Sequence, residues 1–297
     1  MQTVISKDGT QIAFDKIGKG PVLILVGGAF HSRSIDPRMT RLARLLSKYF
    51  TTYHYDRRGR GDSTDTQPYA VEREVEDLNA LIKDSGGSVY AFGMSSGAVL
   101  ALHAVARGLY IKKLALYEPP FNSGDKNARQ AAERYTKQLA LLLSEGRRSD
   151  AVELARASWG MPADMIAGMK QTPVWSMFEA VAPTLAYDNE IMGGGSLPEK
   201  LIASVTIPLL VIDGGASLLF MRNAAKAVSE TAPRAQYRTL EGQTHEYDPD
   251  VLAPVLIDFF LPENNVCMLP GNPFTHFNQA QSVFGLFDDV FMSSNPF

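Results

Sequence analysis

The sequence predicts an α/β fold in which a mostly parallel sheet is covered by helices on both faces. Apolar runs of strand length alternate along the chain with stretches whose apolar residues recur at helical spacing, and this alternation is typical of such folds. The runs are largely continuous, as expected for strands buried on both faces of a parallel sheet. We therefore expect central strands at residues 22–26, 88–92, 111–117 and 208–212.

The helices are indicated by spacing and by start signals. Apolar residues between 71 and 82 and between 251 and 260 each form one stripe along a helix. Asp36 precedes Pro37, which combines a side-chain acceptor for free N–H groups with a proline whose missing N–H costs nothing at that position. We therefore expect a helix to begin there.

Two segments interrupt the alternation. Residues 122–200 hold helical patterns and Gly/Pro punctuation without a convincing strand, so we expect a helical cap there. The cap would be inserted into a core made of residues 1–121 and 201–262. Residues 263–297 show no period, and we treat them as a C-terminal tail of unknown structure.

Composition limits the class of protein and its partners. The net charge is −3, and no run of Lys or Arg forms the footprint of a nucleic-acid-binding protein. Cys267 is the single cysteine, so this chain alone makes no disulfide or thiolate metal site, and we expect neither metal nor cofactor. Because the first residues lack the apolar stretch of a signal peptide and no window holds about 18 apolar residues, we expect a cytoplasmic protein without a membrane partner. The oligomeric state is left open.

The segment Gly93-Met94-Ser95-Ser96-Gly97 has the pattern of a nucleophile turn. It follows a predicted strand and precedes a run of helix formers, and that context gives the pattern its weight. Small residues are needed two positions before and after the serine, because the tight turn crowds its Cβ. We predict that Ser95 is the nucleophile and that the Ser96 N–H donates to the oxyanion.

Four segments in order make the chain resemble the α/β-hydrolase fold family from residue 4 to about 261. They are residues 27–29 (Gly-Gly-Ala), residues 56–63 (Asp-Arg-Arg-Gly-Arg-Gly-Asp-Ser), the turn at Ser95 and residues 242–245 (Gly-Gln-Thr-His). The resemblance implies a sheet of about eight strands, a Ser-acid-His triad in that chain order, and water as the second substrate. We interpret the segment 56–63 as a structural turn with ion-paired arginines at the surface or in a loop.

His245 is the predicted general base. Serine is a poor nucleophile without an adjacent base, which is usually histidine. His245 stands in a polar turn between a predicted strand at 236–240 and the last helix, where the family keeps its base. His54 and His103 are predicted to be structural. His31 follows residues 27–29, the predicted oxyanion loop described next, and is a candidate to line the pocket.

The second oxyanion donor is expected at the glycine-rich step after the first buried strand. The resemblance implies that this donor is the N–H of Ala29, although the family often has His-Gly where this chain has Gly27-Gly28. A plain tight turn is the alternative interpretation. Gly28, His31 and Met94 are the predicted contacts to the substrate.

The acid of the triad departs from the family pattern. The family commonly carries Asp where this chain has Ser217, and a neutral hydroxyl stabilises an imidazolium poorly. Two carboxylates at carboxyl ends of strands remain, Asp213 and Glu118. Some relatives, including certain haloalkane dehalogenases, place the acid at the position of Glu118. We favour Asp213, with Glu118 as the alternative.

These residues predict a hydrolase that cleaves a carboxylic ester or lactone through an acyl-enzyme. Large side chains of the cap, such as Trp159, Met161 and Trp175, favour a small to medium hydrophobic substrate if they face Ser95. Hydrolysis of C–C or amide bonds would use the same residues, since fold does not determine substrate. Ser217 motivates an alternative of another class, a small-molecule binding protein with weak or no catalysis.

Overall fold

A computed structural model of the chain describes residues 1–122 and 124–261. The chain divides into two compact units, Met1–Ile257 and Asp258–Phe297, and the sheet and site described below lie in the first. The predicted tail, residues 263–297, lies outside the described residues, as does Cys267.

One mostly parallel sheet forms the centre of the first unit. Within the described residues its eight strands are β1 (Gln2–Ile5), β2 (Gln11–Ile17), β3 (Val22–Val26), β4 (Thr51–Tyr55), β5 (Val89–Met94), β6 (Ile111–Tyr117), β7 (Leu209–Gly214) and β8 (Ala235–Leu240). Their order in the sheet is β1-β2-β4-β3-β5-β6-β7-β8. The pairs β1–β2 and β2–β4 are antiparallel and all others are parallel. The predicted fold class and the sheet of about eight strands are confirmed.

Helices follow most of the strands. In the described residues they are α1 (Pro37–Leu46), α2 (Val71–Asp84), α3 (Ser96–Ala106), α4 (Lys126–Ser144), α5 (Arg148–Ser158), α6 (Ala163–Met169), α7 (Pro173–Val181), α8 (Leu185–Met192), α9 (Glu199–Ala203), α10 (Leu219–Thr231) and α11 (Pro249–Phe260), with a 3-10 turn at Ala182–Thr184. Asp36 accepts hydrogen bonds from the backbone N–H groups of Arg38 and Met39, at 3.0 and 3.3 Å. The helix start predicted at that residue is therefore present. No helix in the described part of the chain is long and apolar enough to cross a membrane.

Burial explains why the central strands can be predicted from the sequence. Every residue of β7 is buried, and so are four of the five residues of β3. In the edge strands, three of the four residues of β1 and three of the six residues of β8 are exposed. One side of the sheet packs against α2, α3 and α10 in a single hydrophobic cluster. The other side is represented by Phe92 and Tyr117, whose rings contact the ring of Tyr247.

The register of the sheet brings three strand ends together. Met94 of β5 is paired with Tyr117 of β6, and Tyr117 is paired with Ile212 of β7. The next residue of each strand carries a predicted catalytic group: Ser95, Glu118 and Asp213. All three predicted residues therefore lie at the same edge of the sheet.

The segment between β6 and β7 is helical and has a hydrophobic cluster of its own. It contains α4 to α9, and Leu139, Val152, Trp175 and Phe178 are among the buried members of the cluster. Phe30, which follows β3, is also a member. Trp175 and Phe178 thus serve the packing of the helices. The boundaries of a cap at residues 122–200 stay a prediction.

Candidate active site

Ser95 occupies a strained turn between β5 and α3. Its φ is 55° and its ψ is −128°, a conformation that L residues rarely adopt. Its N–H donates to the carbonyl oxygen of Tyr117 at 2.9 Å, so the turn is fixed to the neighbouring strand. The hydroxyl makes no capping hydrogen bond to α3. Backbone strain of this kind costs of order 1–3 kcal/mol and is concentrated at functional sites.

Glycines around Ser95 allow a close approach of backbone segments. A Cβ on Gly93 would lie 2.7 Å from Cα of Ala98, and a Cβ on Gly97 would lie 2.4 Å from the carbonyl oxygen of Val26. A Cβ on Gly28 would lie 2.8 Å from Cβ of Ser95. The first two distances supply the steric reason for the Gly-x-Ser-x-Gly spacing. The third shows that the loop after β3 reaches the nucleophile turn.

Two backbone N–H groups are available beside Ser95. No described residue accepts a hydrogen bond from the N–H of Ala29 or of Ser96. Ser96 is the first residue of α3, where N–H groups lack partners within the helix. Gly28 precedes Ala29 and its carbonyl oxygen accepts from Nη1 of Arg60 at 2.5 Å, which fixes the plane of the Gly28–Ala29 peptide. The arrangement is suited to stabilising a negatively charged oxygen.

His245 is paired with Glu118. Nδ1 of His245 lies 2.7 Å from Oε2 of Glu118, which is fully buried. Oε1 of Glu118 accepts from the N–H of Gly214 at 2.8 Å. The loop before His245 is held by the Tyr117 hydroxyl, which donates to the carbonyl oxygen of Thr244 at 2.6 Å. One buried carboxylate is thus oriented by the sheet and in turn orients the imidazole.

Asp213, the acid favoured from the sequence, has another partner. Its Oδ2 accepts from Nε of Arg222 on α10 at 3.0 Å. Its Oδ1 is buried and has no hydrogen-bond partner among the described residues. The structure therefore brings Glu118 to His245 and directs Asp213 to α10, which corrects the order of preference between the two carboxylates.

Ser217 lies where the family commonly has Asp. Its N–H donates to the carbonyl oxygen of Gly214 at 3.0 Å, and its hydroxyl has no partner within residues 1–122 and 124–261. A Cβ on Gly214 would lie 2.8 Å from this hydroxyl. Ser217 thus packs in its own turn, and the histidine obtains a carboxylate from the preceding strand.

Positive φ angles mark the same region. In the described part of the chain, the non-glycine residues with positive φ are Phe30, Ser95 and Glu118, at 62°, 55° and 45°. Each follows the end of a parallel strand, β3, β5 or β6. Strain held at three adjacent positions is consistent with a site whose groups must point in defined directions.

A buried ionic network that was not predicted from the sequence lies behind the oxyanion loop. Arg57 binds both carboxylate oxygens of Glu74 at 2.7 Å and Oδ1 of Asp188 at 2.8 Å. Arg60 binds Oδ2 of Asp188 at 2.7 Å, and the Ser96 hydroxyl donates to Oδ1 at 2.7 Å. Asp188 of α8 therefore reaches both proposed oxyanion donors, Ser96 directly and the Gly28–Ala29 peptide through Arg60.

The arginines of residues 56–63 are ion-paired as expected, but a surface location is wrong for them. Arg57, Arg58 and Arg60 are at most 2% exposed. Burial alone would raise the pKa of the Asp188 carboxyl, but the charges of Arg60 and Arg57 outweigh it and hold that pKa below its ordinary value. The basic residues of the motif were visible in the sequence. Nothing in the sequence of the helical segment singled out Asp188.

The remaining predicted substrate contacts have distinct surroundings. Cβ of His31 lies 2.9 Å from the position of a Cβ on Gly27, so the histidine packs under the loop after β3. Burial lowers the pKa of His31 to about 4, so its ring is neutral at neutral pH. The Met94 side chain is 1% exposed, and Gly28 faces Ser95 as described. Contact of these three residues with a substrate stays a prediction.

His54 and His103 lie outside the catalytic arrangement. His54 is buried in β4, and Nε2 of His103 lies 3.2 Å from the carbonyl oxygen of Ile191. No cluster of three or more His, Cys, Asp or Glu side chains suited to a metal ion occurs in the described residues.

Comparisons with known proteins agree with this fold. The sequence model of the alpha/beta hydrolase family matches residues 23–255. A solved alpha/beta hydrolase from Sphaerobacter thermophilus is 49% identical with a TM-score of 0.80, and the match covers 88% of this chain and 100% of that one. A solved thermophilic esterase from Thermogutta terrifontis is 21% identical with a TM-score of 0.64, covering 86% and 96% of the two chains, and shares the fold.

Two curated relatives match over shorter stretches. The N-formylmaleamate deformylase of Pseudomonas putida is 34% identical over 117 residues, 37% of this chain and 42% of that protein. An uncharacterized hydrolase of Bacillus subtilis is 32% identical over 103 residues, 33% of this chain and 37% of that protein. The chain thus spans about two-fifths of the length of the curated relatives that it matches.

Proposed function

The chain belongs to the alpha/beta hydrolase family, and we propose that it is a hydrolase that cleaves a carboxylic ester or lactone through an acyl-enzyme on Ser95. The observation that carries the proposal is the 2.7 Å contact between His245 and the buried Glu118, at the sheet edge where Ser95 stands on its turn. A buried acid bound to a histidine at this edge supports catalysis over the alternative of a binding protein.

In the proposed acylation, Oγ of Ser95 attacks the ester carbonyl carbon while Nε2 of His245 takes the hydroxyl proton. Glu118 accepts the Nδ1–H of the ring, which holds the required tautomer and stabilises the imidazolium. The carbonyl oxygen becomes an oxyanion that accepts from the N–H groups of Ala29 and Ser96. Such donors, fixed before the reaction, each contribute roughly 10²–10³-fold to the rate.

Collapse of the tetrahedral intermediate breaks the bond to the leaving oxygen, which takes the proton from His245. A water molecule then attacks the acyl-enzyme, again losing its proton to His245, and Ser95 recovers its proton as the acid leaves. One water is consumed, and an acid and an alcohol are released. A lactone would give a hydroxy acid by the same steps.

Amide hydrolysis is the second candidate. The partial match to a protein named as a deformylase of N-formylmaleamate favours it. The same nucleophile, base and oxyanion donors would act, with an amine as the leaving group. The amine needs protonation by His245 before it departs, so the acid role of His245 would be more demanding than with an ester.

The test uses p-nitrophenyl acetate and butyrate with wild-type protein, Ser95→Ala and Ser144→Ala. Ser144 is an exposed serine at the end of α4 and serves as the matched control. We expect wild type and Ser144→Ala to hydrolyse both esters and to be labelled by a fluorophosphonate. Ser95→Ala should lose both the hydrolysis and the labelling. Equal rates for Ser95→Ala and wild type would contradict the proposal.

A further inference from the structure

Arg156 of α5 is half-buried against three aromatic rings. Its Cζ lies 4.5 Å from the ring centroid of Phe178, 4.6 Å from that of Phe30 and 5.8 Å from that of Trp159. Phe30 also contacts the rings of Phe178 and Trp159. The guanidinium therefore lies against an apolar wall that combines the loop after β3 with the helical segment.

Arg156 has no carboxylate partner among the described residues. Its Nε is shielded from solvent and lacks a hydrogen-bond partner there. Arg57, Arg58 and Arg60, in contrast, are each bound to carboxylates. Burial lowers the pKa of Arg156, and the charge of Glu246, which raises it, does not compensate. Glu246 itself is paired with Arg38. A half-buried cation without an anion is costly at the atoms that it withdraws from water, which indicates a site that an anion completes.

The position of Arg156 relates it to the candidate active site. Phe30 directly follows Ala29, one of the proposed oxyanion donors, and Arg156 lies on its ring. Glu246 directly follows His245 and its charge acts on Arg156. The guanidinium is therefore bordered by the oxyanion loop on one side and influenced by the histidine loop on another. Arg156 thus contacts the residue that follows one proposed oxyanion donor.

We propose that Arg156 binds a carboxylate of the substrate, so that the natural substrate is an ester or a related acyl compound that carries a negative charge. This inference rests on the proposed function of the same site. A guanidinium offers two parallel N–H donors to a carboxylate, and the low dielectric of the aromatic wall strengthens the contact. The rings of Phe30, Phe178 and Trp159 would contact the apolar part of the substrate. This sharpens the expectation of a hydrophobic substrate to an amphipathic, anionic one.

The test compares Arg156→Met with wild type on matched neutral and anionic esters. Mono-p-nitrophenyl adipate and p-nitrophenyl hexanoate differ by a carboxylate in the acyl part. Sodium 4-acetoxybenzoate and its methyl ester differ by a carboxylate in the leaving group. Arg148→Met, an exposed position on the same helix, is the control variant.

In Arg156→Met we expect kcat/KM to fall roughly 10- to 100-fold for one of the two anionic esters, the size of a charged hydrogen bond. The neutral counterpart should change by less than about threefold. The pair that responds identifies the side of the scissile bond that carries the charge. A similar fall on neutral and anionic esters, or no fall on any ester, would overturn the proposal.

A binding measurement separates this inference from the proposed function. Adipate and 4-hydroxybenzoate, the carboxylate-bearing products of the two anionic esters, are each titrated calorimetrically into Ser95→Ala and into Ser95→Ala with Arg156→Met. If a ligand binds to the double variant at least tenfold more weakly than to Ser95→Ala, the carboxylate site is supported even if no ester is hydrolysed. If each ligand binds equally to both variants, or if neither ligand binds to Ser95→Ala, the proposal is contradicted whatever the esterase assay shows.

Discussion

Oε2 of Glu118 lies 2.7 Å from Nδ1 of His245, across 127 residues of sequence. Glu118 and Asp213 follow paired residues of adjacent strands, so both carboxylates are equally close to the site by register. They differ in backbone conformation: Glu118 leaves β6 with a φ of 45°, whereas Asp213 is still part of β7. Glu118 therefore meets the histidine loop, and Asp213 meets Arg222.

Gly28→Ala is expected to remove most of the activity. The added Cβ would lie 2.8 Å from Cβ of Ser95 and 3.0 Å from the carbonyl oxygen of Met94, so the loop or the nucleophile must shift. A displacement of about 1 Å at a catalytic group can lower the rate about 100-fold. Esterase kinetics measure the effect.

Gly168→Ala in α6 is the matched control for that substitution, since no described atom beyond its neighbours and the backbone of its own helix lies within 4 Å of the added Cβ. We expect unchanged kinetics and a helix stabilised by up to about 1 kcal/mol. Wild-type kinetics in Gly28→Ala would show that the loop does not have to approach Ser95 this closely.

Asp188→Asn is expected to destabilise the fold by about 3–5 kcal/mol, because Arg57 and Arg60 lose a buried counter-charge. Urea unfolding followed by circular dichroism measures the change. Asp150→Asn breaks an exposed contact with Arg147 and should cost less than about 1 kcal/mol. Equal effects of the two substitutions would mean that the buried network adds nothing beyond a surface ion pair.

Stability is expected to fall between pH 7 and pH 5, in part through His54. Burial lowers the pKa of His54 to about 4 in the folded protein, against about 6.5 in the unfolded chain. Between these values the unfolded chain binds a proton that the folded protein excludes, so the free energy of unfolding decreases as the pH falls.

At pH 5, His54 is expected to lower the free energy of unfolding by about 2 kcal/mol relative to its value at high pH. Urea unfolding of wild type and of His54→Gln is measured as a function of pH. Subtracting one profile from the other removes the contributions of the groups that both proteins share. Wild type should lose more stability than the variant. Parallel pH profiles would show that His54 ionises similarly in the folded and unfolded states.

The predictions from the sequence were correct for features that are determined by residues close together in the chain. The central strands are buried on both faces and are therefore continuously apolar, and the glycines around Ser95 follow from contacts as short as 2.4 Å. The helix start at Asp36 follows from its own hydrogen bonds. These predictions required no knowledge of distant parts of the chain.

Features that depend on distant contacts were not predictable. The choice between Glu118 and Asp213 depends on backbone angles and on where the loop of His245 passes. The burial of Arg57 and Arg60 depends on Asp188, more than 120 residues away in sequence. Charged residues around a glycine usually indicate an exposed turn. Here Arg57 and Arg60 are buried because the carboxylate of Asp188, on a separate helix, binds them.

The most direct test of the account is the value of kcat/KM for p-nitrophenyl butyrate in Glu118→Gln and in Asp213→Asn. Both substitutions replace a carboxylate by an amide of equal size at the edge of the same sheet. If Glu118 orients His245, Glu118→Gln should lower kcat/KM by up to about 10⁴-fold and Asp213→Asn by less than about tenfold. A large loss in Asp213→Asn with near wild-type activity in Glu118→Gln would contradict it.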